Sequence, residues 1–214
     1  TINAGGYIDF GPVSTDAPAA LASADEEIDW VVCDSNLIYS YIDVQPGTAH
    51  ILVSNNVIIN PDTSLINVAG YDSQYNRIVS DLQIINNTGI DTSVGGRFLA
   101  LFGAADGINL DYNLFVAPQI AYGVSEASAI WVDQNDLSSF TQIQNNIWPE
   151  STWLWHTNNG LYYVGTAVDS LSAYVTIQQV DDTGVGSGDT MQNVTLTTTY
   201  YVTANGVAVG SDLS

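Results

Sequence analysis

Lysine is absent from the 214 residues, and Arg77 and Arg97 are the only permanent cations against 23 acidic residues, which leaves a formal net charge of −21. Proteins that grip nucleic acid do so by neutralising phosphates with basic side chains. That class is excluded here, and attachment to an anionic membrane surface is excluded on the same ground. Cysteine is almost missing as well. Cys33 alone allows neither an intrachain disulfide nor a cysteine zinc cluster, and it reads as a buried thiol. No apolar run approaches the roughly 18 to 20 residues of a membrane-spanning helix, and no charged segment followed by an apolar one marks a leader peptide. Helix signals are scarce too. Only Ala19 to Ile28 reads as a short helix, and Asp25, Glu26 and Glu27 lie toward its unfavourable end for the helix dipole.

What is present points to a folded domain: 46% of residues are hydrophobic, with 12 tyrosines and 5 tryptophans, against the low aromatic content of disordered chains. Short β-branched, aliphatic and aromatic runs, broken by Gly, Asn, Asp and Ser, predict an all-β fold. Four segments share one template: Ile51 to Ile58, Leu82 to Asn87, Ile108 to Phe115 and Thr141 to Trp148. Each ends its alternation at an asparagine: Asn56, Asn87, Asn113 or Asn146. Three positions upstream stand Val53, Ile84, Leu110 and Ile143; five upstream stand Ile51, Leu82, Ile108 and Thr141. These are inward positions of strands with period two. Spacings of 31, 26 and 33 residues between the asparagines are too long for hairpin neighbours and suit coils of two or three strands. A second register, Leu65 to Val68, Phe98 to Phe102 and Ala129 to Val132, falls between the asparagine segments.

On these residues the chain resembles a right-handed parallel β-helix of the pectate-lyase-like superfamily over about residues 48 to 165. The resemblance implies stacked parallel strands and a structural ladder of Asn56, Asn87, Asn113 and Asn146 at one corner. Stacked amides satisfy main-chain groups left unpaired where a strand ends, and the one-coil repeat of about 4.8 Å lets identical side chains bond to one another. The competing reading is an antiparallel β-sandwich with asparagine-rich turns. Residues 1–47 form an N-terminal cap or strand segment and 166–214 a C-terminal β segment. Tyr174 to Ile177 and Val194 to Val202 alternate as strands that either cap the solenoid or add themselves to a neighbouring subunit.

The resemblance also implies chemistry on polysaccharide, by elimination or hydrolysis. Elimination needs a strong base, for which Arg77 and Arg97 are the candidates, with Asp81, Asp106 and Asp111 as partners; the alternative is that both arginines tie turns together through carboxylates such as Asp72, Asp81 or Asp91. Hydrolysis needs paired carboxyl groups, and the family's set of signatures is incomplete: Asn109-Leu110-Asp111 and Asp181-Asp182 are present, but neither histidine precedes a glycine and lysine is absent. His50 and His156 receive no catalytic role. Trp148, Trp153 and Trp155 form a glycan-stacking cluster or, by default, core. Asp106, Asp111, Asp133 and Asp136 are candidate Ca²⁺ ligands in turns. Asn86 and Asn193 open N-x-[ST] tripeptides, and with Thr1 in place of a methionine they give the expectation of a processed, extracellular or cell-surface chain.

The expected function is that of a secreted structural or adhesive surface protein, a self-associating filament subunit with Ca²⁺ as its one candidate cofactor. The alternative is a β-helix that binds or degrades an extracellular glycan.

Overall fold

The computed structural model of the chain describes residues 8–10, 28–60, 64–68, 78–91, 96–102, 105–117, 128–132, 139–149, 153–157, 174–175 and 184–213. Within them the chain winds through six coils, each laying one short strand on each of three parallel sheets. The first coil carries β1 (Ile8–Phe10), β2 (Ile28–Asp34) and β3 (Leu37–Ile38); the second β4 (Ile42–Val44), β5 (Thr48–Ser54) and β6 (Val57–Asn60). The third carries β7 (Ser64–Val68), β8 (Val79–Ile85) and β9 (Thr88–Asp91). The fourth has β10 (Arg97–Leu101), a middle strand in two pieces, β11 (Ala105–Asp106) and β12 (Ile108–Asp111), and β13 (Leu114–Val116). The fifth has β14 (Ser128–Val132), β15 (Phe140–Gln144) and β16 (Ile147–Trp148). The sixth has β17 (Trp153–Thr157), β18 (Tyr174–Val175), β19 (Gly186–Ser187) and β20 (Thr190–Met191). A hairpin, β21 (Tyr201–Ala204) and β22 (Val207–Gly210), follows.

This is a parallel β-helix. The sandwich alternative fails because every pairing between successive coils is parallel; among the described residues only β17 with β18 and β21 with β22 pair antiparallel. The two sequence registers are two of the sheets: the asparagine segments supply β5, β8, β12 and β15, and the apolar runs between them supply β7, β10 and β14. The stack also extends N-terminal of residue 48, since β1, β2 and β3 pair with β4, β5 and β6. Of the helix expected over Ala19 to Ile28, only Ile28 lies within the described residues, and it opens β2.

Period-two alternation fixes the core. Ile51, Val53, Leu82, Ile84, Ile108, Leu110 and Ile143 are all fully buried, each apolar side chain contributing about 1.5 to 3 kcal/mol. The expected eighth member, Thr141, is exposed. The register between β12 and β15 shifts after Ile108, which pairs with Phe140 while Asn109 pairs with Gln142; Thr141 is the extra residue of a bulge, and the buried Phe140 takes the inward place. An aromatic knot of Phe98 with Phe115 and Trp148, ring centroids 5.9 and 5.6 Å apart, fills the interior of the later coils. Gly89 is required beside it: a Cβ there would lie 2.3 Å from Leu65 and 2.9 Å from Phe98.

The C-terminal hairpin turns through Asn205-Gly206, both in the left-handed region (φ 51° and 81°), the geometry that a two-residue turn between twisted strands demands. Its Val209 is buried with Leu114 and Ile147 on the outside of the third sheet. Beyond it, the Gly210 N–H donates to the Tyr112 carbonyl at 2.8 Å, the Ser211 N–H to Thr88 Oγ1 at 2.8 Å and the Asp212 N–H to Asn55 Oδ1 at 2.6 Å. The segment therefore lies lengthwise along the flank of three coils rather than over an open end. Most of the strand expected over Val194 to Val202 does not form; strand begins only at Tyr201. Its alternation has a different cause, because Val194 and Leu196 pack on the Leu114 cluster while the threonines between them face solvent.

Candidate functional site

Two columns of left-handed residues run along the middle sheet. The first sits at the corner after it, where Ser35, Asn55, Asn86, Tyr112, Asn145 and Gly188 all have φ between 52° and 71°. Each precedes one rung of a ladder. The backbone N–H and the side-chain Nδ2 of Asn56 both donate to Asn87 Oδ1 at 3.0 Å. Asn87 does the same to Asn113, at 3.0 and 3.1 Å, and Asn113 to Asn146, at 2.9 and 3.0 Å. Each Nδ2 also reaches a strand carbonyl: that of Asn56 meets Cys33 O, that of Asn87 Val53 O, that of Asn113 Ile84 O and that of Asn146 Leu110 O. All four side chains are fully buried, so every such bond replaces a main-chain group's lost water.

Sequence reasoning missed the two outer rungs. Asn36 donates to Asn56 Oδ1 from its backbone at 3.0 Å and its side chain at 3.1 Å, and Asp189 Oδ1 accepts both bonds from Asn146 at 2.8 Å. Their spacings of 20 and 43 residues fall outside the repeat used to find the others. The usable signal was a turn former directly before each, Ser35 and Gly188. Cys33 lies under the first rungs, and burial pushes its thiol up to about 11.

The remaining predicted residues are scattered. Arg97 is buried, its guanidinium carbon 4.3 Å from the centroid of the Trp131 ring; Arg77, Asp133 and Asp136 lie outside the described residues. Trp148 is fully buried and meets Phe98 edge-on, so it presents no face to a sugar. Trp153 and Trp155 belong to β17, paired with Ser128 and Ile130 of β14. Asp106 is exposed, whereas Asp111 is half-buried and accepts from Asn145 Nδ2 at 3.1 Å and Gln142 Nε2 at 3.3 Å; burial pushes its carboxyl up. Among the described residues no three His, Cys, Asp or Glu side chains gather as a metal would require. Asn86 sits at the corner with its tripeptide's Thr88 buried and donating to the Tyr200 carbonyl, while Asn193 is exposed.

The second column brings together residues to which sequence reasoning gave no common role. Trp30, His50 and Asp81 occupy corresponding places on β2, β5 and β8, between the paired residues Asp29, Ala49 and Ser80 before them and Val31, Ile51 and Leu82 after them. All three are left-handed, with φ of 64°, 50° and 51°, and Gly107 continues the column at 70°. A tryptophan in this region is a true conformational outlier, which marks a place whose surroundings hold the backbone against its preference. Trp30 is 76% exposed. Its ring stacks on that of His50, centroids 4.7 Å apart and planes 21° from parallel. His50 Nδ1 lies 2.7 Å from Asp81 Oδ2, and Nε2 lies 3.7 Å from Asp29 Oδ1. Asp81 is held in turn by Gln83 Nε2 at 2.7 Å, and Gln83 Oε1 by Asn109 Nδ2 at 2.8 Å. The hydrogen bond with Asp81, and then the charges of Asp29 and Asp81, push the imidazole up; the same bond pulls Asp81 down.

A third pairing lies on the sheet that begins with β1. Asp9 and Asp43 are register partners on β1 and β4, followed by Asn67 on β7. Burial, with the neighbouring Asp9 charge second, pushes Asp43 up to about 6, although Gln45 Nε2 donates to it at 2.6 Å. Arginine as a surface base therefore has no support among the described residues, whereas a histidine–carboxylate pair beside an open indole does exist. Comparison with known proteins adds no assignment: no family model, no curated protein and no solved structure matches this chain.

Proposed function

We propose that the protein is an extracellular structural or adhesive surface component of the right-handed, pectate-lyase-like β-helix type, and that copies associate end to end into a filament. The observation that carries this reading is the state of β2. It is a seven-residue strand at the end of its sheet, paired on one side with β5, and its Val32 is 65% exposed. A long edge strand with exposed apolar side chains is a template for adding another chain's strand, and soluble monomers blunt such edges with lysine, proline or bulges. This chain has no lysine with which to do so. The asparagine ladder and the absence of a converged catalytic set support a scaffold more than an enzyme, and the low cation count supports an exterior location, where trypsin-like cleavage needs Lys or Arg.

The test is negative-stain electron microscopy of concentrated protein with Ca²⁺ and with chelator, beside Val32→Lys. Filaments with a subunit-sized repeat in the parent and dispersed particles in Val32→Lys are expected. Particles that stay monomeric at high concentration under both conditions refute the filament, and filaments that depend on Ca²⁺ place acidic turns such as that of Asp106 at the junction.

A further inference from the structure

We infer that the open face of Trp30, flanked by Asp29 and Asp81, is a binding site for an organic cation, a guanidinium or ammonium group such as an arginine or lysine side chain of a partner protein.

An indole face attracts a cation through its ring quadrupole, and the attraction grows when carboxylates stand beside it. Trp30 has that setting: one face is stacked on His50, the indole is 76% exposed, and the side chains of Asp29 and Asp81 are about half exposed at 56% and 47%. The chain satisfies the same chemistry internally elsewhere. Arg97 lies 4.3 Å over Trp131, buried, so a guanidinium on an indole is a contact this fold already makes. At Trp30 no cation of the chain's own supply fills the free face. With two permanent cations for 23 acidic residues, and one of the two committed to Trp131, the complement to this surface comes from another molecule.

Charge selects the ligand class. A net charge of −21 repels polyanions and gathers cations around the whole surface, and the indole with its two carboxylates turns that general attraction into a specific seat. A neutral ring would also stack on Trp30, but it would gain nothing from Asp29 and Asp81 as charges. The site carries its own competitor. His50, as imidazolium, lies against Trp30 between Asp29 of β2 and Asp81 of β8, with Asp106 of β11 beside the same strand. When His50 loses its proton the two carboxylates are left uncompensated, and an external cation binds more tightly. Affinity therefore rises as pH climbs through the His50 titration, whereas stacking of a neutral sugar ignores it.

The experiment follows the Trp30 indole N–H and the His50 ring resonances by NMR during titration with N-acetylarginine amide, spermidine or maltotriose, at two salt concentrations and across pH 5 to 9. Trp30→Asn, which suits the left-handed backbone, assigns the indole signal. Saturable shifts at Trp30 and His50 with the arginine derivative, weakened by salt and strengthened with rising pH, are expected. Trp30→Asn, which leaves the net charge unchanged, weakens binding by about threefold to fivefold, and Trp30→Phe restores part of it. Equal binding of spermidine supports the shared cation chemistry and identifies free polyamine as an alternative source; weaker spermidine binding identifies the side-chain guanidinium. Unchanged affinity in Trp30→Asn shows only diffuse attraction to a negative surface and overturns the site. So does a Trp30 shift with maltotriose that matches the arginine derivative and ignores salt and pH. Filament formation is scored separately with Val32→Lys, so either proposal can fail alone.

Discussion

The two left-handed columns use one backbone device for opposite ends. At the corner, a left-handed residue turns the chain so that the next side chain points inward, and a buried amide stands there in all but the last coil. In mid-sheet, Trp30, His50 and Asp81 are themselves the left-handed residues, and their side chains fan out into solvent. Where the stacked groups are identical, donor and acceptor on each amide close the column on itself. Where they differ, the column makes a surface with chemistry. The Asp9–Asp43 pair completes the contrast, since a carboxylate only accepts, and identity at one-coil spacing then repels.

Breaking the corner column has the largest expected effect. Asn87→Ala removes the acceptor of two bonds from Asn56 and the donor to Val53 O and Asn113 Oδ1 inside the core, and a loss of about 3 kcal/mol in denaturant unfolding is expected from the buried groups left unpaired. Next comes the backbone one residue earlier. Asn86→Val places a β-branched residue at φ 55° and costs about 1 to 2 kcal/mol, while Asn86→Gly stays within a few tenths; if both cost the same, the left-handed turn is not what Asn86 supplies.

The repulsive pair gives a smaller effect of opposite sign. Because the folded Asp43 titrates at about 6 against an ordinary 3.8, its penalty is absent below the lower value and complete above the higher. Asp43→Asn is expected to stabilise the protein at pH 7 by about 1 kcal/mol after solvent screening, and to make no difference near pH 3.5. Thermal midpoints of the two proteins across pH 3 to 8 check both limits. The smallest effect belongs to the mid-sheet column. His50 is held above its usual value by Asp81, so its contribution is full below about pH 6.5 and is lost as pH rises through the folded value. The parent's melting midpoint drifts down over that window, and His50→Gln abolishes the drift.

The same contrast explains how much was legible beforehand. Repetition at regular distance is visible in a sequence, so Asn56, Asn87, Asn113 and Asn146, and the inward rows above them, were found with the sheets they belong to. Asn36 and Asp189 were not, because the first gap is short, the last is long and the final rung changes residue. The mid-sheet column was invisible for a stronger reason. Trp30, His50 and Asp81 share no chemistry and stand at unequal intervals, so only the register of β2, β5 and β8 brings them together. Thr141 shows the remaining limit, since a single inserted residue moves an inward position outward without altering the pattern that predicted it.

The ladder has a direction. Every asparagine turns its amide oxygen toward the preceding coil and its N–H groups toward the following one, so the side-chain dipoles add along the solenoid as peptide dipoles add along a helix, with the positive end at the sixth coil. Asp189 stands at that end as its counter-charge, in the role an acidic residue plays at a helix N-terminus. A carboxylate offers no side-chain N–H to a further rung, so the column is written with a full stop, and a copy stacked beyond it must be held by backbone pairing alone.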